Sequence, residues 1–262
     1  MYLLTLQLCS IYNDNDIHYQ HPLIEEANII LIYSLIIVTV LAFSFTSSIK
    51  KQYRVYYSLA ALLAILTSVY EILRIISNVK LHGFISNLEK ASIQGNISIS
   101  FFILVMFAGA LGSKWGITKK LLSIRAQLAI LGSIFILPHG IIYLARFILL
   151  KLPNIIKQRE IPILYLGYLV VGIIAFIILI PLFSTSLNKF RSKMSGLKWK
   201  QIQRWAYCFY FLAYIHIILM LLNKKELDWM KLIIYTAVFG LYAVLRVIKA
   251  KKIKLDKLNK AA

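Results

Sequence analysis

The stretch Trp199–Leu222, WKQIQRWAYCFYFLAYIHIILMLL, is apolar enough to cross a bilayer and carries one imidazole, His216, near its far end. An ionisable side chain in hydrocarbon is costly and marks a functional position by default. Two crossings earlier, residues 121–144, LLSIRAQLAILGSIFILPHGIIYL, form a second apolar stretch that carries His139. Segments two crossings apart run in the same direction, so depth can be counted from their starts. His139 lies fourteen residues after Arg125, and His216 lies thirteen after Gln203. At ~1.5 Å rise per residue both sit about 20 Å from where their helices begin. Two neutral imidazoles at one depth on parallel helices could be the axial pair of a haem iron. A single intramembrane histidine could equally be hydrogen-bonded to a neighbouring helix.

Composition fixes the solvent. Of 262 residues 60% are hydrophobic and the mean hydropathy is +0.76, whereas a soluble domain would be nearer half apolar. Repeated apolar runs of about twenty residues predict an all-α, polytopic membrane bundle of about seven helices. The net charge of +20, from 30 Lys and Arg against 10 Asp and Glu, would suggest nucleic acid in a soluble protein. In a membrane protein it reflects cations gathered in cytoplasmic loops, and no nucleic acid partner is expected. Two cysteines, Cys9 and Cys208, give neither a disulfide framework nor a zinc spacing.

Three parts follow along the chain: a tail over 1–26, a transmembrane domain over 27–250 and a basic tail over 251–262. The tail lacks the positively charged start of a signal peptide, and its His18 and His21 read as solvated. Spans are expected at about 27–48, 55–78, 97–111, 121–149, 161–183, 199–222 and 229–248, with 80–96 a polar loop containing His82. Within the second span Glu71 and Arg74 stand three apart on one helix face and can neutralise each other. Twenty of the 30 cations fall in the loops at 50–54, 114–125 and 189–204 and in the C-terminal segment; nine fall on the opposite side. The positive-inside rule therefore places the N-terminus outside and the C-terminus in the cytoplasm.

Pro138 precedes His139 and should kink its helix. Gly132, two turns below His139 on the same face, and Gly140, which follows it, could leave room for a flat macrocycle or serve ordinary packing. Arg146 and Lys151 at the far end, and Arg74, could meet propionates. No carboxylate pair, Ser-His-Asp set, or flavin or nicotinamide motif is present, so flavin mononucleotide has no motif behind it as a cofactor. A non-redox reading stays open: a transporter using His139 and His216 for substrate or protons. That reading expects repeat symmetry and paired broken helices, neither of which the sequence displays.

Trp199, Ile202, Gln203, Arg204, Tyr207 and His216 resemble the W-x-x-L-H-R-x-x-Y…H stretch of ferric-reductase-like membrane domains. Arg125, Leu128, Ala129 and His139 resemble that family's R-x-x-L-G…H helix, and Pro181-Leu182 with Ser184-Thr185-Ser186 resemble its P-L-x-x-T-S helix end. The resemblance covers roughly residues 95–250 and is nearest to the haem-binding membrane subunit of the bacterial periplasmic methionine-sulfoxide reductase system (MsrQ/YedZ type). It implies one noncovalent haem b on His139 and His216, in a multi-pass protein of the bacterial inner membrane. It also implies an electron-relay subunit rather than a stand-alone enzyme, contacting lipid, fed by quinol or a reductase and serving an extracytoplasmic molybdopterin- or FMN-binding partner. The soluble dehydrogenase domain of the larger ferric reductases is not expected after the last span. One departure stands out: the family's upstream histidine is Gln203, so no second haem is expected at the inner position.

Overall fold

The computed structural model describes residues 20–77, 83–112, 115–148, 152–153, 163–224 and 226–259. Cys9, His18, His82 and Lys151 lie outside the described residues, as does the side chain of His21. With no water in the hydrocarbon core to satisfy backbone N–H and C=O groups, a spanning chain must satisfy them within helices. Among the described residues there are twelve helices and no strand. They are α1 Gln20–Ser44, α2 Thr46–Lys51, α3 Tyr53–Ser77, α4 Gly83–Ile93, α5 Asn96–Ala110 and α6 Gly116–Ser123. There follow α7 Arg125–Arg146, α8 Ile163–Ser186, α9 Asn188–Arg191, α10 Gly196–Gln203, α11 Ala206–Leu222 and α12 Trp229–Leu258.

Among the described residues five stretches without a sharp bend are long and apolar enough to cross a membrane: Tyr53–Arg74, Arg125–Arg146, Ile163–Ser186, Gly196–Leu222 and Trp229–Asp256. The chain is a multi-pass, all-α membrane protein. The third expected span differs. Residues 80–96 read as a polar loop in sequence, yet Gly83–Ile93 is helical, and α4 and α5 reach spanning length only as a pair bent by 61°. The polar residues that suggested a loop face inward: Glu89 is 5% exposed and Ser92 1%, with Ser92 bonded to Thr67 of α3 at 3.2 Å. The first expected span falls on α1, which begins at Gln20 and is apolar over the shorter stretch Ile30–Ser44.

Side-chain placement follows from lipid being the solvent. Ile37, Val40 and Leu41 on α1, Leu59, Leu62 and Leu66 on α3, and Ile173, Ile177 and Ile180 on α8 are exposed. Lipid tails are as apolar as leucine, so no hydrophobic force drives these inward. Small residues instead line the contacts between helices: Ser98, Ser100 and Ala108 of α5 are fully buried, and Ser98 Oγ donates to the Gly132 carbonyl of α7 at 2.7 Å. Helix α5 runs through the middle of the bundle. Helix α7 packs on α3, α4, α5 and α8; α8 packs closely on α11; and α12 covers α5 and α11.

Both histidine-bearing stretches are broken near their starts. The 121–149 segment divides at Ile124 into α6 and α7, and the 199–222 segment turns at Arg204–Trp205 between α10 and α11. The last helix has a strong start: Asp228 Oδ1 accepts the Lys231 amide at 3.0 Å, and the Lys231 ammonium lies 3.3 Å from Oδ2. Burial disfavours the charged carboxyl, but the Lys231 amide and the Lys231 and Lys224 charges outweigh it, holding Asp228 below the usual carboxylate range.

Replacing Asp228 with Ala should lower stability by about 1 kcal/mol, the worth of an N-cap, while Asp228→Asn, which keeps the acceptor, should lose less. Because the folded-state value is depressed, the contribution of Asp228 is present above the unfolded value of about 3.9 and disappears as pH falls through the folded one. Thermal unfolding of the detergent-purified variants between pH 7 and pH 3 measures both; an unchanged melting temperature for Asp228→Ala would remove the cap from the account.

Candidate functional site

A carbonyl inside a helix is already bonded to the amide four residues on, so an imidazole that seeks a carbonyl needs a helix end or a gap in the helix surface. His139 finds the first. Its Nδ1 donates to the Ile93 carbonyl at 2.9 Å. Ile93 is the last residue of α4, where carbonyls have no intrahelical partner. The next turn is made by Gly95, whose φ of 77° is left-handed and suits glycine. A Cβ on Gly95 would lie 3.3 Å from Ile136 Cδ1 and 3.6 Å from His139 Nδ1.

His216 finds the second. Its Nδ1 donates to the Tyr168 carbonyl, in the body of α8, at 2.7 Å. The residue four positions on is Gly172, and the ring lies where its side chain would be: a Cβ there would meet His216 Nδ1 at 2.8 Å and Cε1 at 2.9 Å. Glycine at 172 is what admits the imidazole to α8.

The fold brings the two rings together. Their centroids are 6.0 Å apart and their planes stand at 86°. A carbonyl can only accept, so Nδ1 carries the proton in each neutral ring and Nε2 is left with its lone pair for an acceptor or ligand role. Backbone-anchored Nδ1–H is the usual second contact of a metal-bound histidine. Two imidazoles on one metal ion, with bonds of about 2 Å, put their ring centres roughly 6 Å apart. The donor set therefore fits an ion held by two imidazoles. Among the described residues no group of three His, Cys, Asp or Glu is placed to hold a metal. Tyr143, one turn beyond His139, has its ring 4.8 Å from that imidazole, and the Tyr168 ring is 5.8 Å from His216.

The glycines singled out beside His139 admit aromatic rings. A Cβ on Gly132 would lie 3.1 Å from Phe101 Cβ and 3.2 Å from Phe102 Cε1; one on Gly140 would lie 2.7 Å from Phe176 Cε2. The arginines expected to face propionates meet a carboxylate of the chain. Arg74 Nε and Nη2 donate to Glu71 at 2.8 and 2.9 Å, the pair that the i, i+3 spacing anticipates. Arg146 Nη2 also donates to Glu71, which is fully buried, and Glu89 is in hydrogen-bond contact with it. Two carboxyls and two guanidiniums thus join α3, α4 and α7 next to the Tyr143 ring, over which the Arg146 guanidinium lies at 5.6 Å. Sequence reading missed Glu89, Gly95 and Gly172; of these only Gly95, between two polar residues, carries a local turn signal.

At the other end of α7 and α11, Gln203 donates its amide to Thr185 Oγ1 at 3.0 Å and to the Leu182 carbonyl at 3.4 Å. Trp199 Nε1 donates to the Thr185 carbonyl at 3.1 Å. The Pro181–Ser186 helix end and the Trp199–Gln203 helix are thereby locked together.

Part of the chain is similar to known proteins. Residues 94–214 match the family described as "Ferric reductase like transmembrane component", so this region is similar to that family. The match takes in His139 and ends at Tyr214, two residues before His216. An uncharacterised protein of Treponema pallidum (strain Nichols) is 33% identical over 165 residues, which is 60% of this chain and 44% of that relative. The chain thus spans less than half the length of the relative it matches.

Gly172→Ala should displace His216 and destabilise the protein by about 1–3 kcal/mol, the usual range for overpacking. Gly167→Ala on the same helix, where the nearest atom to a Cβ is Leu219 Cδ1 at 3.8 Å, should be neutral or slightly stabilising. Thermal melting of the two variants side by side decides: equal melting temperatures would contradict the close approach of His216 to α8.

Proposed function

We propose that this chain is a haem b-binding transmembrane electron-transfer subunit in which His139 and His216 are the two protein ligands of one iron. The observation that carries the reading is the pair of imidazoles 6.0 Å apart at 86°, each with Nδ1 on a backbone carbonyl, within and beside a ferric-reductase-like region. Bound there, haem would supply a one-electron carrier; no Cys-x-x-Cys-His is present to attach it covalently.

The residues have separable roles. The Ile93 and Tyr168 carbonyls hold each ring in one tautomer and one plane, so little reorganisation accompanies a change of charge at the metal. Two imidazole ligands from His139 and His216 would suit a bound haem to electron transfer rather than oxygen binding. Gly132 and Gly140 let Phe101, Phe102 and Phe176 pack against the histidine helix and keep water from it. Arg74 and Arg146, anchored on Glu71, retain N–H donors and partial exposure, as required to neutralise propionates. Gln203 spends its amide on Thr185 and Leu182, and Arg125 cannot give up a proton to become a ligand; the inner position holds no second bis-histidine haem.

The charge asymmetry of the loops supports an orientation with the basic end of the bundle in the cytoplasm, and the resemblance to the MsrQ/YedZ-type subunit supports a bacterial inner membrane. Both histidines come late in helices that start at that end, so electrons leave toward the opposite, extracytoplasmic face. Quinol diffusing in the membrane is the donor this arrangement favours, and the acceptor is an extracytoplasmic redox protein of the molybdopterin- or FMN-binding kind.

Leu in place of either His139 or His216 should abolish a low-spin haem spectrum while leaving the protein inserted, and a pyridine haemochrome assay of the native protein should give about one haem per chain. Retention of the spectrum by both variants would discard the ligand pair, and a reproducible value near two would restore an inner haem. For direction, right-side-out vesicles containing the reduced protein should be oxidised rapidly by external ferricyanide. Oxidation confined to inside-out vesicles would reverse the orientation.

A further inference from the structure

The end of the bundle remote from the histidines encloses a cavity of about 540 Å3 with an unusual lining. Five cations border it: Arg125 of α7, Arg191 of α9, Lys200 of α10, Arg204 and Arg246 of α12; no carboxylate does. Among the described residues none of the five pairs with an acidic side chain. Two of them are held in place. The Arg191 guanidinium lies over the Trp199 ring at 4.6 Å, and Arg246 donates to the Gly109 carbonyl at 3.0 Å and to the Tyr207 hydroxyl. Convergent, unneutralised cations repel one another unless an anion lies between them. The arginine fork matches the tetrahedral oxygens of phosphate better than it matches a single-atom anion.

The remaining wall is apolar, formed by Phe102, Met106 and Leu179. Beside it, between the lining residues Arg204 and Ala206, Trp205 is 57% exposed, the residue type that settles at the membrane–water interface. The opening therefore lies at headgroup level, with cations toward water and apolar side chains toward the hydrocarbon.

We propose that this cavity is a binding site for a phosphate oxyanion, presented by the headgroup of a membrane phospholipid or as free phosphate. The cations carry the recognition, with Arg125 and Arg204 making no side-chain hydrogen bond or ion pair among the described residues and Arg246 and Arg191 preset by Gly109 and Trp199. The site is separate from the histidine pair, at the opposite end of the same two helices, and rests on the reading that the inner position, between Arg125 and Gln203, holds no second haem.

Native mass spectrometry of the full-length protein, stripped of lipid in phosphate-free detergent, tests the proposal with three probes: phosphatidylglycerol, a diacylglycerol with the same chains and no phosphate, and inorganic phosphate measured in parallel by equilibrium dialysis. Phosphatidylglycerol should be retained at one per chain and the diacylglycerol should not. The double variant Arg125→Gln with Arg204→Gln should weaken retention about tenfold or more, as expected for losing charge-assisted hydrogen bonds. Lys198→Gln, on α10 but outside the cavity, should not, and unchanged melting temperatures establish that both variants are folded. Saturable binding of inorganic phosphate with the same dependence on Arg125 and Arg204, without lipid retention, identifies free phosphate as the source and also supports the site. Binding of neither probe, equal retention of the diacylglycerol, or equal weakening by Lys198→Gln overturns it.

Discussion

Every backbone carbonyl of a membrane-spanning helix is committed, and the histidine site depends on two exceptions to that rule. At Ile93 the helix ends, because Gly95 turns the chain by 61° and leaves a carbonyl for His139. At Tyr168 the helix continues, but Gly172 removes the side chain that would stand between the carbonyl and His216. An uncommitted imidazole N–H in hydrocarbon would cost several kcal/mol. The same bonds that avoid this cost fix the tautomer, the ring plane and hence which nitrogen is left to act. Placement and chemistry follow from one constraint.

The buried charges obey the same logic at one end of the bundle. Glu71 has no exposed surface, so its carboxylate is tolerable only because Arg74 and Arg146 both bond it. That cluster ties α3 and α4 to α7 within two turns of His139, making the end of α7 rigid where its imidazole must be held. At the opposite end Arg125 and its neighbours have no such compensation among the described residues, and a cavity lies among them. One bundle thus carries a charge cluster bonded within itself around Glu71 and an open, cationic one, separated by the apolar length of α7 and α11.

Much of this was legible in the residues. Apolar runs bounded by Lys and Arg give a polytopic helical bundle, because lipid leaves a chain of this composition no other way to satisfy its backbone. Counting residues from Arg125 and Gln203 put His139 and His216 at one depth, because the rise of a helix is a constant, and Glu71 with Arg74 followed from helical periodicity in the same way. The sequence misread 80–96 as a loop for a physical reason: polar residues signal water only until something buried answers them, and Glu89 and Ser92 are answered by residues on other helices.

Local pattern therefore determined that the chain is a helical membrane bundle, where each ionisable side chain lies along its helix, and that two imidazoles share a level. Only the tertiary structure decided that their rings lie 6.0 Å apart, that Gly172 on α8 makes room for His216, and that Arg146 is spent on Glu71. Depth along a helix is encoded by counting, which needs one helix. Rotation about the axis, the choice of neighbour and the acceptor for each N–H are set by how several helices pack at once, and no single segment contains that information.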